Sequence, residues 1–244
     1  MKLISALTQP GRLAWGITRE LGASVLASEL YPLAIFGNSL PALPVFWTRT
    51  ASHRRPILLI HGIFHNKSAF FFLKQKLALK GWHHFREVNL YTSVNSVARL
   101  AERVKSEVHQ LREDYGTDQI DIVAHSMGGL VARYFIQKLG GEPWVKNLIT
   151  LGTPHLGTQW SKYSLLSNLR DLHPESTLLK SLNALPPPAQ TRVVSVSGQM
   201  DLWMLPKNTA QWPGIRCIEL SQIGHAGLLF SHRVAQIITS HLDD

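Results

Sequence analysis

The sequence predicts an α/β fold, a mostly parallel sheet with helices on both faces. Three observations carry this. Short apolar runs alternate with longer stretches of helical spacing through most of the chain after residue 50. Some runs, such as Ile57-Leu58-Leu59-Ile60, are continuously apolar, as strands covered on both faces require. One run, Asp121-Ile122-Val123-Ala124-His125, meets Ser126 and passes at once into the apolar helical stretch Met127-Gly128-Gly129-Leu130-Val131-Ala132.

The bulk numbers fit one large domain. Of the 244 residues, 45% are hydrophobic and 17% charged, so a sizeable core can be buried and disorder is excluded. The formal net charge is +9, but the longest basic run is only Arg54-Arg55. A basic arm for nucleic acid would be more concentrated, so no nucleic-acid partner is expected. Attraction to an anionic surface or simple solubility accounts for the charge. The single cysteine, Cys217, excludes a disulfide within the chain and a zinc cluster.

Residues 1–50 stand apart. The opening apolar run is too short for a secretory signal and is interrupted by Pro10-Gly11-Arg12. No stretch of roughly 20 apolar residues follows. Leu13, Ile17, Leu21 and Val25 recur every four residues, the spacing of one helix face. The segment reads as an amphipathic helix and a proline-rich link, either packed on the domain or in peripheral contact with a membrane.

After residue 50 the elements follow in order. Residues 56–62 read as a central strand and 68–80 as a helix closed by Gly81. A second strand is expected at 86–91. A long helix is expected at 95–115, with Leu100, Val104, Val108, Leu111 and Tyr115 on one face and Gly116 at its end. Residues 119–124 form the strand into Ser126, 127–139 the helix after it, and 145–151 the next strand. Residues 155–190 contain nine leucines and no strand pattern, and end in Pro186-Pro187-Pro188. They read as a helical insertion over the sheet, either a mobile lid or a fixed cap. Strands resume at 192–196 and 215–220, with Cys217 in the last, and a final helix spans 227–241. The expected division is 1–50 and 51–244, with the cap at about 155–190.

A strand, a tight turn and a helix form the layout that lifts a serine oxygen above a parallel sheet. The turn needs small neighbours, here Ala124 and Gly128. Serine attacks only when a base takes its proton, and an acid must orient that base. Sites in such sheets lie at the carboxyl ends of strands. Asp201 follows the strand run at 193–196, and His225 follows the last strand. Serine, acid and histidine come in that order, 75 and then 24 residues apart. Asp171 is the rival acid but lies in the insertion, away from any strand end. The oxyanion donors expected are the backbone N–H of Met127 and that of Ile63 after His61-Gly62, with Phe64 as fallback. His61 reads as a brace for that loop.

Taken together, His61-Gly62-Ile63, Ala124-His125-Ser126-Met127-Gly128-Gly129, Gly152-Thr153-Pro154-His155-Leu156-Gly157 and Gly224-His225 resemble the bacterial lipase/esterase group of the α/β-hydrolases. The elbow is similar to that of Bacillus-type lipases, with alanine at 124 where glycine is usual. The resemblance covers about residues 55–242. It implies hydrolysis of carboxylic esters through an acyl-enzyme on Ser126, with His225 moving the proton and Asp201 orienting it. A small-molecule ester or lipid is the implied substrate, and the implied setting is a bacterial cell, cytoplasmic or membrane-associated, with secretion left open. A phospholipase or acyltransferase on the same triad is the alternative, and a non-catalytic lipid-binding protein a further one. Many such lipases hold calcium beside the histidine loop. Between Asp201 and His225 the only other acid is Glu219, so neither calcium nor any other cofactor is expected.

Overall fold

The computed structural model describes residues 18, 54–63, 65–92, 95–163 and 167–243. Apart from residue 18, the segment expected at 1–50 lies outside the described residues. Six strands form one sheet in the order β2-β1-β3-β4-β5-β6: β1 Ile57–Ile60, β2 Phe85–Val88, β3 Ile120–His125, β4 Val145–Leu151, β5 Arg192–Gly198 and β6 Arg216–Leu220. Every neighbouring pair is parallel. The helices are α1 Phe71–Ala78, α2 Val97–Tyr115, α3 Met127–Lys138, α4 Thr177–Asn183, α5 Gly227–Phe230 and α6 His232–Asp243.

Each strand's alternation divides it between two cores. Leu58, Ile60, Ile122, Ala124 and Leu148 face α2 and α3, where they meet Leu100, Val104, Val108, Leu130 and Phe135. Ile57, Leu59, Val123, Ile149 and Leu151 face the other side, against Leu73, Leu77, Leu228, Val234 and Ile238 of α1, α5 and α6. This is why β1 and β3 read as unbroken apolar runs: both faces are buried.

Boundaries move where local chemistry sets them. The expected helix at 68–80 begins as a 3-10 turn at Lys67–Phe70, because the Asn66 side chain accepts from the Ser68 N–H. α2 starts at Val97, capped by Ser96, and stops at Gly116 in the left-handed region. Tyr115 is 43% exposed, so it leaves the buried face expected for it; its ring meets His84 instead. The final helix is two pieces, broken at Ser231. Cys217 lies on the outer strand and is exposed, not enclosed in an apolar strand.

Among the described residues of 155–190 there are 3-10 turns at Gln159–Tyr163 and Ser167–Leu172 and one α-helix, α4. Leu172, Leu179 and Leu182 are buried, the first two within the core on the α2–α3 side. The segment around α4 is also fastened to α3. Arg133 Nη2 donates to the Leu182 carbonyl at 2.9 Å and Gln137 Nε2 to that of Pro186 at 2.8 Å. Arg133 is fully buried, lies over the Trp212 ring, and donates its Nε to Gln137 Oε1. Burial lowers its guanidinium to about 9, which leaves it charged at neutral pH. A buried cation held by carbonyls on both sides resists separation of the parts it joins. These contacts join the α4 part of the insertion to α3. Among the described residues no helix is long and apolar enough to cross a membrane.

Candidate active site

The site lies at the carboxyl ends of the strands, where loops from β1, β3, β4, β5 and β6 meet. Ser126 joins β3 directly to α3 with φ 55° and ψ −129°, a conformation costly for any residue but glycine. Three contacts hold it there. Its N–H donates to the Leu151 carbonyl at 2.8 Å, and its carbonyl accepts from the Gly129 N–H at 3.0 Å and from Thr153 Oγ1 at 2.9 Å. The turn also needs bare neighbours. A Cβ at Gly128 would come within 2.6 Å of the carbonyl oxygens of Ile60 and His61, and one at Gly62 within 2.6 Å of Ser126 Cβ. At 124, where the methyl of alanine stands, the side chain is buried in the core without such a clash.

Asp201 and His225 meet. The Nδ1–H of His225 donates to Asp201 Oδ2 at 2.6 Å. The other carboxylate oxygen accepts from the backbone N–H of Trp203 at 2.9 Å and of Met204 at 3.2 Å. Asp201 is fully buried and its carboxylate accepts from these three donors, while its backbone carbonyl accepts from Lys207 Nζ at 2.7 Å. His225 is only slightly exposed and lines the same cavity as Ser126. Gly152, at φ 57°, leaves room for the imidazole: a Cβ there would lie 3.1 Å from His225 Nδ1. Asp171 is elsewhere. Its Oδ2 accepts from the Val97 N–H at 3.0 Å, at the start of α2.

Met127 is the first residue of α3, so its backbone belongs to the donor-rich end of a helix directly beside Ser126. Ile63 lines the cavity from the loop after β1. That loop is braced by His61, whose Nδ1–H donates to the Gly62 carbonyl at 2.8 Å while its Nε2 accepts from the Leu90 N–H at 2.9 Å. One nitrogen donates and the other accepts, so the ring is neutral. Burial agrees, lowering its pKa to about 4. Phe64 lies outside the described residues.

The cavity measures about 290 Å³ and is walled by Ile63, Pro154, Leu169, Leu172, Met204, Trp160 and Trp203. Apart from that of Ser126, two lining hydroxyls are already used: Thr158 Oγ1 donates to the Trp203 carbonyl and Ser161 Oγ to the Thr158 carbonyl. At the surface, Trp160 donates its Nε1–H to the Leu202 carbonyl, and Leu202 and Trp203 are mostly exposed. Two further histidines line the cavity, His65 and His125. Burial lowers His65 to about 4 and His125 well below its ordinary range, with the nearby histidine rings adding to both shifts. Nothing in the spacing of the twelve histidines singles these two out. Their approach is made by three loops distant in sequence. Among the described residues no three His, Cys, Asp or Glu side chains are grouped to hold a metal ion.

A family model described as "Domain of unknown function (DUF7379)" matches residues 37–219. The chain belongs to the DUF7379 family. A Pseudomonas fragi triacylglycerol lipase is 31% identical over 86 residues, which are 33% of this chain and 29% of that protein. The match thus spans under a third of that relative. A Bacillus licheniformis lipase in its mature form superposes with a TM-score of 0.69 at 16% identity, over 78% of this chain and 92% of that one. An Aspergillus fumigatus lipase B gives 0.69 at 14% identity, over 83% and 56%. The six-stranded parallel sheet of this DUF7379 member is that of the α/β-hydrolase fold.

Proposed function

We propose that the protein is a serine ester hydrolase acting on carboxylic esters with apolar acyl groups, lipid esters among them. The observation that carries this is the buried Asp201–His225 pair at 2.6 Å, lining one cavity with a serine held at a strained turn. Strain of that kind persists where surrounding structure enforces it, and it clusters at functional sites.

In this reading Ser126 Oγ attacks the ester carbonyl carbon while His225 Nε2 takes its proton. Asp201 holds the ring with Nδ1 protonated, which leaves Nε2 free to accept. The tetrahedral oxyanion is met by the N–H groups of Met127 and Ile63. His225 then gives its proton to the departing alkoxide, leaving an acyl-enzyme. A water molecule, deprotonated by His225, attacks that ester and returns Ser126. The acyl group is apolar because the walls are apolar and the lining hydroxyls of Thr158 and Ser161 already donate to carbonyls. The names of the partial relative and of the fold neighbours point the same way.

The test is a chain-length series of p-nitrophenyl esters with wild type and Ser126→Ala. Hydrolysis lost in the variant supports the reading, and preference for longer chains supports the lipid assignment. Preference for the shortest chains would reduce the proposal to an esterase of small substrates. Activity undiminished in Ser126→Ala would refute the serine mechanism.

A further inference from the structure

His125, the residue before Ser126, is unexplained by the chemistry above. It is fully buried at the end of β3. Its Nε2 lies 3.2 Å from the backbone carbonyl of His225. A carbonyl only accepts, so His125 carries its proton on Nε2 and donates it there. Its Nδ1 has no partner and must stay unprotonated, since a second proton would bury a positive charge. The ring is trapped between two others. His65 stacks on it at 5.7 Å between centroids and 10° between planes, and His225 lies 4.6 Å away at 52°.

Three loops are thus joined through one side chain. The Asp201 carboxylate fixes the ring's Nδ1 but leaves rotation about that contact. A second fixed point on the same residue, its carbonyl, removes this freedom. The anchor comes from the neighbour of Ser126, so any movement of the turn carries the histidine loop with it.

Resting on the ester-hydrolase reading, we propose that His125 is a positioning residue whose neutral Nε2–H fixes the His225 backbone and so sets the reach of the His225 ring from Asp201 to Ser126. It touches no reacting atom in this role. Loss of the donor acts chiefly on turnover when a ring of similar size keeps the place of His125 in the cavity wall.

The experiment compares His125→Phe, a ring without a donor, with His125→Gln, which can place an N–H where Nε2 stands, on one p-nitrophenyl ester. Expected for His125→Phe is a fall in kcat of between roughly tenfold and 100-fold, the scale on which misplacing a reacting group acts, with KM changed less than about twofold. His125→Gln should recover most of that loss. A His125→Phe kcat equal to wild type overturns the proposal, and so does a Gln variant as slow as the Phe variant. Folding failure of either is covered by the wild-type protein itself. Nitrogen-15 imidazole spectra should show His125 as the Nε2–H tautomer across pH 6 to 8, and an Nδ1–H tautomer or a charged ring there overturns the proposal. If the ester-hydrolase reading itself is wrong, wild type will not label at Ser126 with a fluorophosphonate, and the positioning role falls with it.

Discussion

Two buried aspartates mark opposite ends of the sheet. Asp121 stands at the start of β3 and Asp201 after the end of β5. Neither has appreciable exposure. Asp121 is closed by Arg55, whose Nε reaches both carboxylate oxygens at 3.2 Å, and by Asn147 Nδ2 at 2.7 Å. Burial pushes its carboxyl up, and Arg55 and Asn147 pull against that. Its partners cannot change protonation state near neutral pH. Asp201 instead has two backbone N–H groups and an imidazole, and that imidazole faces a cavity. Burial of an acid is shared by both, while an imidazole partner that faces a cavity belongs to one.

The largest expected effect breaks this contrast at Asp201. In Asp201→Asn the amide oxygen can keep the Trp203 and Met204 N–H groups, so the loop survives. The amide N–H then faces His225 Nδ1 and favours the tautomer that cannot act as base. A fall in kcat of about 10³- to 10⁴-fold on a p-nitrophenyl ester is expected. A loss under tenfold would remove Asp201 from the acid's role. Asp171→Asn serves as the control. Its carboxylate receives the Val97 N–H at the start of α2, so the variant should keep kcat within about threefold and lose at most ~1 kcal/mol of stability.

Asp121→Ala should give the opposite pattern. Removing the acceptor leaves Asn147 and Arg55 without their partner, which costs about 2–3 kcal/mol by urea unfolding; the figure is reduced because the Arg55 side chain is 33% exposed. Its kcat should match wild type within about twofold. Equal damage to turnover would show that the two ends of the sheet are coupled.

A further effect comes from pH. His61 and His65 are held near 4, and His125 and His155 are lowered as well, all chiefly by burial. Their folded values lie below the unfolded value of about 6.5, so the unfolded chain binds more protons between the two. Their stability contribution is therefore intact above about pH 6.5 and is lost as pH falls toward about 4. The urea midpoint should drop between pH 6.5 and 5, where most carboxylates are still ionised. A midpoint flat over that interval would contradict the neutral, buried histidines.

Much of this architecture is legible in the chain. Ile57–Ile60 is apolar throughout because β1 is covered on both faces, and that needs no tertiary knowledge. Gly128 and Ala124 around Ser126 can be read as the small residues a tight turn needs, and the strand-end rule draws attention to Asp201 and His225. The histidine stack is different. His65, His125 and His225 come together only when loops after β1, β3 and β6 converge, and no local pattern records that. Arg133 likewise looks like an ordinary helix surface residue until α4 and Trp212 cover it. Tyr115 keeps the helical spacing of its neighbours yet stays exposed, because the end of α2 runs past the core.

The proposed chemistry turns on a covalent acyl-enzyme at Ser126. It is tested most directly by rapid mixing with a p-nitrophenyl ester, followed by acid quench and peptide mass analysis. A burst of nitrophenol close to one equivalent and an acyl group on Ser126 are expected, both absent in Ser126→Ala. Ester hydrolysis with no burst and no acylated Ser126, or an acyl group on another residue, would contradict it.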